Sequence, residues 1–229
     1  MTAQKRLGKT NESKRKVLIV DDHPIVRQGL TDLINQEKDL KVCGQAEDAY
    51  QAMDAIKALN PHMVVVDISL RESSGVELIK DIKVRYPNLP VLTLSMHDES
   101  LYAERALRAG AKGYIMKQEA TEKVIMAIRK ILSGEIYVSD KMAARMVRKL
   151  VGGGTEVSTS PAERLSDREL EVFHLVGKGY GTRQISERLH LSIKTIETYR
   201  AHIKEKLNLA DAAELLQYAI QWVNRESAG

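Results

Sequence analysis

The sequence has few cysteine, aromatic and proline residues and no long apolar segment. Of 229 residues, one is cysteine, one tryptophan, one phenylalanine and five proline. A single cysteine excludes a disulfide framework within the chain and is typical of reducing compartments. No run of about 18 apolar residues is present to span a membrane. The basic first 16 residues also lack the apolar core of a secretory signal. We therefore expect a cytoplasmic protein with no membrane partner.

The net charge of +4 is unevenly distributed. Six of the first 16 residues are basic and one is acidic, and we interpret 1–15 as a basic disordered tail. Residues 163–229 sum to zero, although 178–206 hold seven basic and three acidic side chains. Overall charge is therefore weak evidence for nucleic-acid binding, which a local cluster has to support.

Hydrophobic periodicity predicts an α/β domain over residues 16–133. The predicted strands are 16–20, 40–46, 62–67, 90–95 and 113–116. The predicted helices that follow them are 24–36, 48–59, 75–86, 99–109 and 121–133. Five such units predict a doubly wound, five-stranded parallel sheet of the flavodoxin-like type, with strand order 2-1-3-4-5.

A second, all-helical domain is predicted over residues 164–229. Between the two domains, 134–163 is predicted to contain a connecting helix at 139–150 and a flexible linker rich in Gly, Ser and Thr. The predicted helices of the second domain are 167–176, 182–189, 193–207 and 211–223.

Reactive side chains end four of the five predicted strands. They are Asp21, Asp22, Asp67, Ser95 and Lys117. Neighbouring first and third strands would lie about 4.8 Å apart, so the three carboxylates converge. Like charges about 4 Å apart cost roughly 4 kcal/mol at an effective dielectric near 20, so the cluster needs a cation, and Mg²⁺ is the usual one. The set suits phosphoryl transfer to Asp67 as nucleophile, with Lys117 neutralising the transferring oxygens.

A simpler explanation exists for the two adjacent aspartates. Asp22 would cap the following helix, Pro24 would occupy its first turn, and Asp21 would face water. The six histidines show no metal-ligand spacing.

Four segments resemble the receiver domain of two-component response regulators: VLIVDDHPIVRQGL, VVVDISLRESSGVELI, VLTLSMHDE and GAKGYIMKQ. The whole chain resembles the subfamily with a LuxR-type helix-turn-helix output, the NarL/FixJ family. The resemblance implies a histidine kinase partner and Asp67 as phosphoacceptor. It also implies Mg²⁺ held by Asp22, Asp67 and the backbone carbonyl of Ser69, with Asp21 assisting through water.

The same resemblance implies roles for three further side chains. Ser95 would donate a hydrogen bond to a phosphoryl oxygen, and Lys117 would pair with it. Tyr114 matches the aromatic switch position, although it fits a packed strand residue equally well. The chain departs from the family at 70–72, where Leu-Arg-Glu replaces the frequent Met-Pro-Gly, while Gly75 keeps the loop length unchanged.

The segment 165–209 has the pattern of a helix-turn-helix unit. Ser166 and Glu169 form a capping-box pattern, and Ser192 precedes the helix 193–207. We expect this last helix to lie in the major groove of double-stranded DNA. The resemblance implies phosphate contacts from Lys194, Thr195 and Arg200, and base-facing positions at Glu197, Thr198 and Ala201, with His202 as a further candidate.

Two features of this domain have alternative explanations. Glu197 is an unusual residue at its position, and it either accepts a hydrogen bond from cytosine or pairs with a neighbouring basic side chain. The apolar stripe of the last helix either packs on its own domain or, as the resemblance implies, forms a homodimer on DNA. That stripe consists of Leu215, Tyr218, Ala219 and Trp222.

We therefore expect a phosphorylation-controlled transcription factor, not an enzyme. The alternatives are a metal-dependent phosphohydrolase, which the short βα loops disfavour, and a regulator that never needs phosphate, which the complete acidic set disfavours. Phosphate would act by dimerising the protein or by unmasking its DNA-binding domain.

Overall fold

The computed structural model describes residues 14–70, 74–96, 99–151, 164–189 and 191–227. The expected linker at 152–163, most of the expected tail, and Arg71 and Glu72 lie outside these ranges. Two compact units are present: one holds the whole sheet, and the other holds all the helices after Ser139.

The first unit is built on a parallel sheet of five strands. They are β1 (Arg15–Val20), β2 (Leu40–Ala46), β3 (Met63–Asp67), β4 (Val91–Ser95) and β5 (Gly113–Met116). The order is β2-β1-β3-β4-β5, which confirms the predicted fold class. Every residue of β3 and β4 is buried, as expected where helices cover both faces of a parallel sheet. Arg15, which we expected in the tail, is the first residue of β1.

Five helices connect or follow these strands. They are α1 (Pro24–Asn35), α2 (Ala49–Leu59), α3 (Gly75–Arg85), α4 (Glu99–Ala109) and α5 (Ala120–Leu132). The pair α1 and α5 pack together, as do α2 and α3. Asp48 and Ser74 cap α2 and α3 by accepting hydrogen bonds from backbone N–H groups, which explains where these helices begin.

The main core of this unit lies between the sheet, α1 and α5. Its buried side chains include Val17 and Ile19 of β1, Leu92 and Leu94 of β4, and Ile128 of α5. These residues alternate along each strand, because every second side chain faces the same side of a sheet. The packing holds the ends of β1, β3 and β4 at one edge.

The second unit is helical. Its helices are α6 (Asp140–Val151), α7 (Asp167–Gly177), α8 (Thr182–Leu189), α9 (Ile193–Leu207) and α10 (Ala212–Ser227). Ser166 and Glu169 form the predicted capping box at α7, and Ser192 caps α9. Helix α7 packs against both α9 and α10. A Cβ atom on Gly177 would lie 2.5 Å from the carbonyl oxygen of Ala219, so this close packing of α7 and α10 requires glycine.

The apolar stripe of α10 faces the inside of this unit. Leu215, Ala219 and Trp222 are buried, and the Trp222 ring lies 5.3 Å from that of Phe173 on α7. The Tyr218 ring also lies 6.0 Å from the Phe173 ring. The structure therefore favours packing within the domain for Leu215, Ala219 and Trp222, because burying them stabilises the α7–α10 pair. Tyr218 is half-buried, and its role in dimerisation stays a prediction.

None of the helices in the described ranges combines the length and the apolar character needed to cross a lipid bilayer.

Candidate functional site

The carboxyl ends of β1 and β3 bring three aspartates together. Asp21 and Asp22 follow β1 directly, and Asp67 is the last residue of β3. Their carboxylate oxygens, together with Nδ1 of His23, lie within 4.8 Å of one another. Gly75 permits this arrangement, because a Cβ atom there would lie 2.0 Å from the carbonyl oxygen of Asp67. The pocket thus requires glycine at the start of α3.

Lys117 connects two of these carboxylates. Its Nζ lies 2.7 Å from Oδ2 of Asp21 and 2.7 Å from Oδ2 of Asp67. All three side chains are buried, with 7% of the lysine side chain exposed and 2% or less of each aspartate. A buried charge is tolerated only when it is paired, so the three groups depend on one another.

Asp67 is held in a low-dielectric environment. Burial raises the pKa of its carboxyl group above the usual value; the nearby Lys117 ammonium opposes this shift and the Asp21 carboxylate adds to it. The backbone N–H of Ser69 donates to its Oδ1 at 3.1 Å. Burial lowers the pKa of Lys117, but Asp67 and Asp21 outweigh it and raise the net value. The ammonium therefore stays charged.

His23 is the site residue that the sequence did not reveal. Its Nδ1 lies 2.7 Å from Oδ1 of Asp22 and 3.1 Å from Oδ1 of Asp21. It is also the residue before α1, so Asp22 does not cap that helix, whereas Pro24 does begin it. His23 therefore lies beside the acidic cluster, although the spacing of the histidines did not indicate a metal ligand. The available signal was the adjacency of His23 to the aspartate pair.

The remaining predicted pocket residues lie on β4 and β5. Ser95 ends β4 and is buried, and Tyr114 of β5 is buried as well. Tyr114 pairs with Thr93 in the register of the two strands. This position fits both the switch role and the packed strand residue, so the two explanations of Tyr114 stay open.

The donor set fits a hard divalent cation. Three carboxylates and a histidine nitrogen offer mainly oxygen ligands, which suit Mg²⁺. Lys117 supplies only one positive charge to Asp21 and Asp67, so the cluster keeps a negative charge that a cation would balance. The residues that would hold the ion are Asp21, Asp22 and Asp67, with the Ser69 carbonyl as the predicted further ligand.

The predicted recognition helix is α9, and one of its faces is buried. Ile196, Ile203 and Leu207 pack inwards, which leaves the predicted DNA contacts on the other side. Of these contacts, Lys194, Glu197, Thr198, Ala201 and His202 are exposed, and Thr195 and Arg200 are half-buried. Among the residues described, Glu197 forms no ion pair with a basic side chain, so its exposed carboxylate can meet a partner outside the chain.

Glu169 supports α9 from the start of α7. Its Oε2 accepts hydrogen bonds from Nζ of Lys206 and from the backbone N–H of Ser166, each at 2.7 Å. Burial raises the pKa of Glu169, but these hydrogen bonds outweigh it and lower the net value. His202 also lies beside this carboxylate, with its Nδ1 at 3.7 Å from Oε1. His202 therefore contacts α7 and is not aimed only at solvent.

Two family models match the chain. The model for the response regulator receiver domain matches residues 17–129, and the model for bacterial regulatory proteins of the luxR family matches residues 163–219. The first range covers the sheet from Val17 onwards, and the second covers α7 to α9 and the first half of α10.

Relatives match over nearly the whole chain. The oxygen regulatory protein NreC of Staphylococcus epidermidis is 37% identical over 211 residues, which cover 90% of this chain and 97% of NreC. RcsB of Salmonella enterica serovar Typhimurium, solved on the rprA promoter with the phosphomimetic BeF3-, is 28% identical with a TM-score of 0.56, covering 90% and 98%. A structure of two RcsB dimers on two parallel DNAs matches with a TM-score of 0.54 at 28% identity, again covering 90% and 98%.

These matches identify the family of the chain. The receiver and luxR-family models together cover most of it. The chain belongs to the two-component response regulators that carry a luxR-family DNA-binding domain, and it is a transcription regulator rather than an enzyme.

Proposed function

We propose that a histidine kinase transfers a phosphoryl group to Asp67, and that this transfer controls the binding of double-stranded DNA by α9. The observation that carries the proposal is the position of Lys117, whose ammonium lies 2.7 Å from both Asp67 and Asp21. A lysine between two buried carboxylates is already placed to pair with the charge that phosphorylation adds.

The transfer requires a carboxylate nucleophile and charge neutralisation. An oxygen of Asp67 bonds to phosphorus while the bond from phosphorus to the imidazole nitrogen of the donor breaks. The imidazole leaves with the electron pair and takes a proton from water. Lys117 stabilises the transferred oxygens electrostatically, and Ser95 donates its hydroxyl hydrogen to one of them. Among the three aspartates Asp67 is the expected nucleophile. It ends β3, and its carboxylate accepts hydrogen bonds from both Lys117 and the backbone of Ser69.

A divalent cation completes the pocket. Bound Mg²⁺ would neutralise the phosphoryl and carboxylate oxygens as they approach one another. Asp21, Asp22 and Asp67, together with the Ser69 carbonyl, would orient that ion. The carboxylates are already within 4.8 Å of one another, so little rearrangement is needed to hold it.

On the DNA side, α9 enters the major groove. Lys194, Thr195 and Arg200 contact phosphates, while Glu197, Thr198 and Ala201 face the bases, with His202 at the margin. The protein acts as a homodimer on promoter DNA in the cytoplasm. Support for the dimer comes from RcsB, a 28% identical protein solved as dimers on DNA. Two recognition helices would then lie about 34 Å apart, one turn of DNA.

Direct detection of the modified residue tests the proposal. Incubation with Mg²⁺ and a small phosphodonor should add one phosphoryl group to Asp67, located by mass spectrometry after borohydride reduction. Asp67→Asn should abolish the signal, because an amide is a poor nucleophile. Asp54→Asn is the matched control, since Asp54 is an exposed residue in the middle of α2 and its replacement should leave the modification intact. Phosphate on another residue of the wild-type protein would overturn the assignment.

The consequence of phosphorylation has two candidate forms. If the receiver masks the DNA-binding domain, a fragment starting near residue 160 should bind a specific operator more tightly than the unphosphorylated chain, by about 1–3 kcal/mol. If phosphate instead joins two receivers, the fragment should be the weaker binder, and fusion to any dimeric partner should restore its affinity. Titration of both proteins at one salt concentration decides between these forms.

A further inference from the structure

The edge of the sheet opposite the pocket is basic. It presents four side chains at the starts of β1 and β2, which we call the basic edge: Lys14, Arg15, Lys16 and Lys41. Arg15 pairs with Leu40, and Lys16 pairs with Lys41, in the register of the two strands. Two positive charges at paired positions repel each other, so this arrangement costs stability that a bound anion would recover.

The nearest acidic side chains compensate the basic edge only in part. Glu37 and Asp39 lie in the loop before β2, and both are held by Arg129 of α5, which is 2.7 Å from Oδ1 of Asp39. Within the described residues, Lys14 and Lys16 donate to backbone carbonyls, those of Glu37 and Leu59. Neither of these contacts neutralises charge.

Arg15 and Lys41 are the exposed members of the basic edge. In the described ranges neither side chain has a hydrogen bond or an ion pair. The positive charges also act on His62, the residue before β3: burial lowers the pKa of His62, and Arg15, Lys16 and Lys41 lower it further. All three positive charges therefore lie close enough to His62 to lower its pKa.

The charge of this surface contrasts with the rest of the domain. Residues 17–136 hold 18 acidic and 15 basic side chains, so the domain is acidic apart from this edge. The sequence before β1 adds Lys5, Arg6 and Lys9 against one glutamate. The receiver model begins at residue 17, so this basic segment lies outside the part of the chain that the family model matches.

We propose that the basic edge binds DNA phosphates and so adds a second, sequence-independent contact to that of α9. The inference rests on the proposed function, because α9 supplies the duplex. The two units belong to one chain, so a duplex held by α9 is presented to the basic edge at a raised effective concentration. The phosphates of DNA form a row of negative charges that can pair with Arg15 and Lys41, and phosphate contacts need no base-specific geometry.

The experiment uses the full-length protein and a random-sequence duplex. Binding is measured between about 50 and 200 mM salt for wild type and for Arg15→Gln/Lys41→Gln. Two lost phosphate contacts should make the slope of log K against log salt shallower by about 2, and should weaken binding about 10–30-fold near 0.15 M salt. Arg15→Lys/Lys41→Arg, which keeps both charges, should retain the wild-type slope.

The matched control is Lys80→Gln/Lys123→Gln, which removes the same charge from two ion pairs between neighbouring helix turns elsewhere in the same domain. Equal slopes for test and control variants would overturn the inference while leaving the proposed function intact. A wild-type protein that binds no DNA would overturn both. Loss of binding to phosphatidylglycerol vesicles, with an unchanged DNA slope, would assign the edge to a membrane surface and also overturn the inference.

Discussion

Lys117→Met removes the ammonium that pairs with Asp21 and Asp67 and replaces it with a side chain of similar length. The two carboxylates then remain buried without their cation. Their oxygens lie within 4.8 Å of one another, so their mutual repulsion is about 3.5 kcal/mol at an effective dielectric near 20. Breaking a buried ion pair on one side generally costs about 3–5 kcal/mol, which agrees with this figure.

Urea unfolding of Lys117→Met with EDTA at pH 7.5 should show the whole loss of about 3–5 kcal/mol in the free energy of unfolding. Lys80→Met, which removes an exposed partner of Glu77, should change stability by less than about 0.5–1 kcal/mol. Added Mg²⁺ should stabilise Lys117→Met more than the wild type, because the cation replaces the missing ammonium.

The pH dependence gives an independent check. Without Lys117, the pKa of Asp67 in the folded protein lies still further above its unfolded value. A raised carboxyl pKa stabilises the folded state below the unfolded pKa, and this contribution disappears as pH rises through the folded pKa. The deficit of the variant should therefore shrink as pH falls towards about 5. A variant as stable as wild type in EDTA, or a deficit that neither Mg²⁺ nor acid reduces, would refute this account of the pocket.

Three further changes test the second unit. Glu197→Ala should relax base preference at one half-site position by about 1–3 kcal/mol, measured on a panel of single-base operator variants. Glu205→Ala on the same helix is the control and should leave that preference unchanged. A uniform change in affinity across the panel would contradict base reading by Glu197. Glu169→Gln should cost about 1–2 kcal/mol at pH 7, because the ion pair with Lys206 is lost. Because folding lowers the pKa of Glu169, its ionised carboxylate stabilises the folded state above the unfolded pKa, and this stabilisation is lost as pH falls through the folded pKa. Equal losses of stability in the variant at pH 7 and at about pH 2, measured by urea unfolding, would refute this role of the carboxylate. Trp222→Ala should destabilise the unit by about 3–5 kcal/mol in the same assay, and a variant of normal stability with a shifted monomer–dimer equilibrium would restore the dimerisation prediction.

The predicted elements agree with the structure to within a residue or two at most boundaries, for a local physical reason. Strands such as MVVVD are continuous apolar runs, and helices begin where Asp48, Ser74, Ser166 and Ser192 accept hydrogen bonds from backbone N–H groups. These signals lie within a few residues of the feature they determine. The last helix is the exception, because α10 continues to Ser227, beyond the predicted end at residue 223.

The sequence alone also determined which residues end the strands, because strand ends follow from the apolar runs. Parallel strands of known order then place those residues at one edge. This reasoning locates Asp21, Asp67 and Lys117 together, although it does not show that one ammonium contacts both carboxylates at 2.7 Å.

Tertiary structure alone decided which partner each side chain has. The clearest case is Arg129, which engages Glu37 and Asp39 although these residues lie about 90 positions away in the sequence. The stripe of α10 has the same helical spacing whether it packs on α7 or on a second protein. The contact between Trp222 and Phe173 shows that this stripe packs within the domain. Burial depends on which side chains lie next to the stripe in the folded protein, and the helical spacing alone does not determine them.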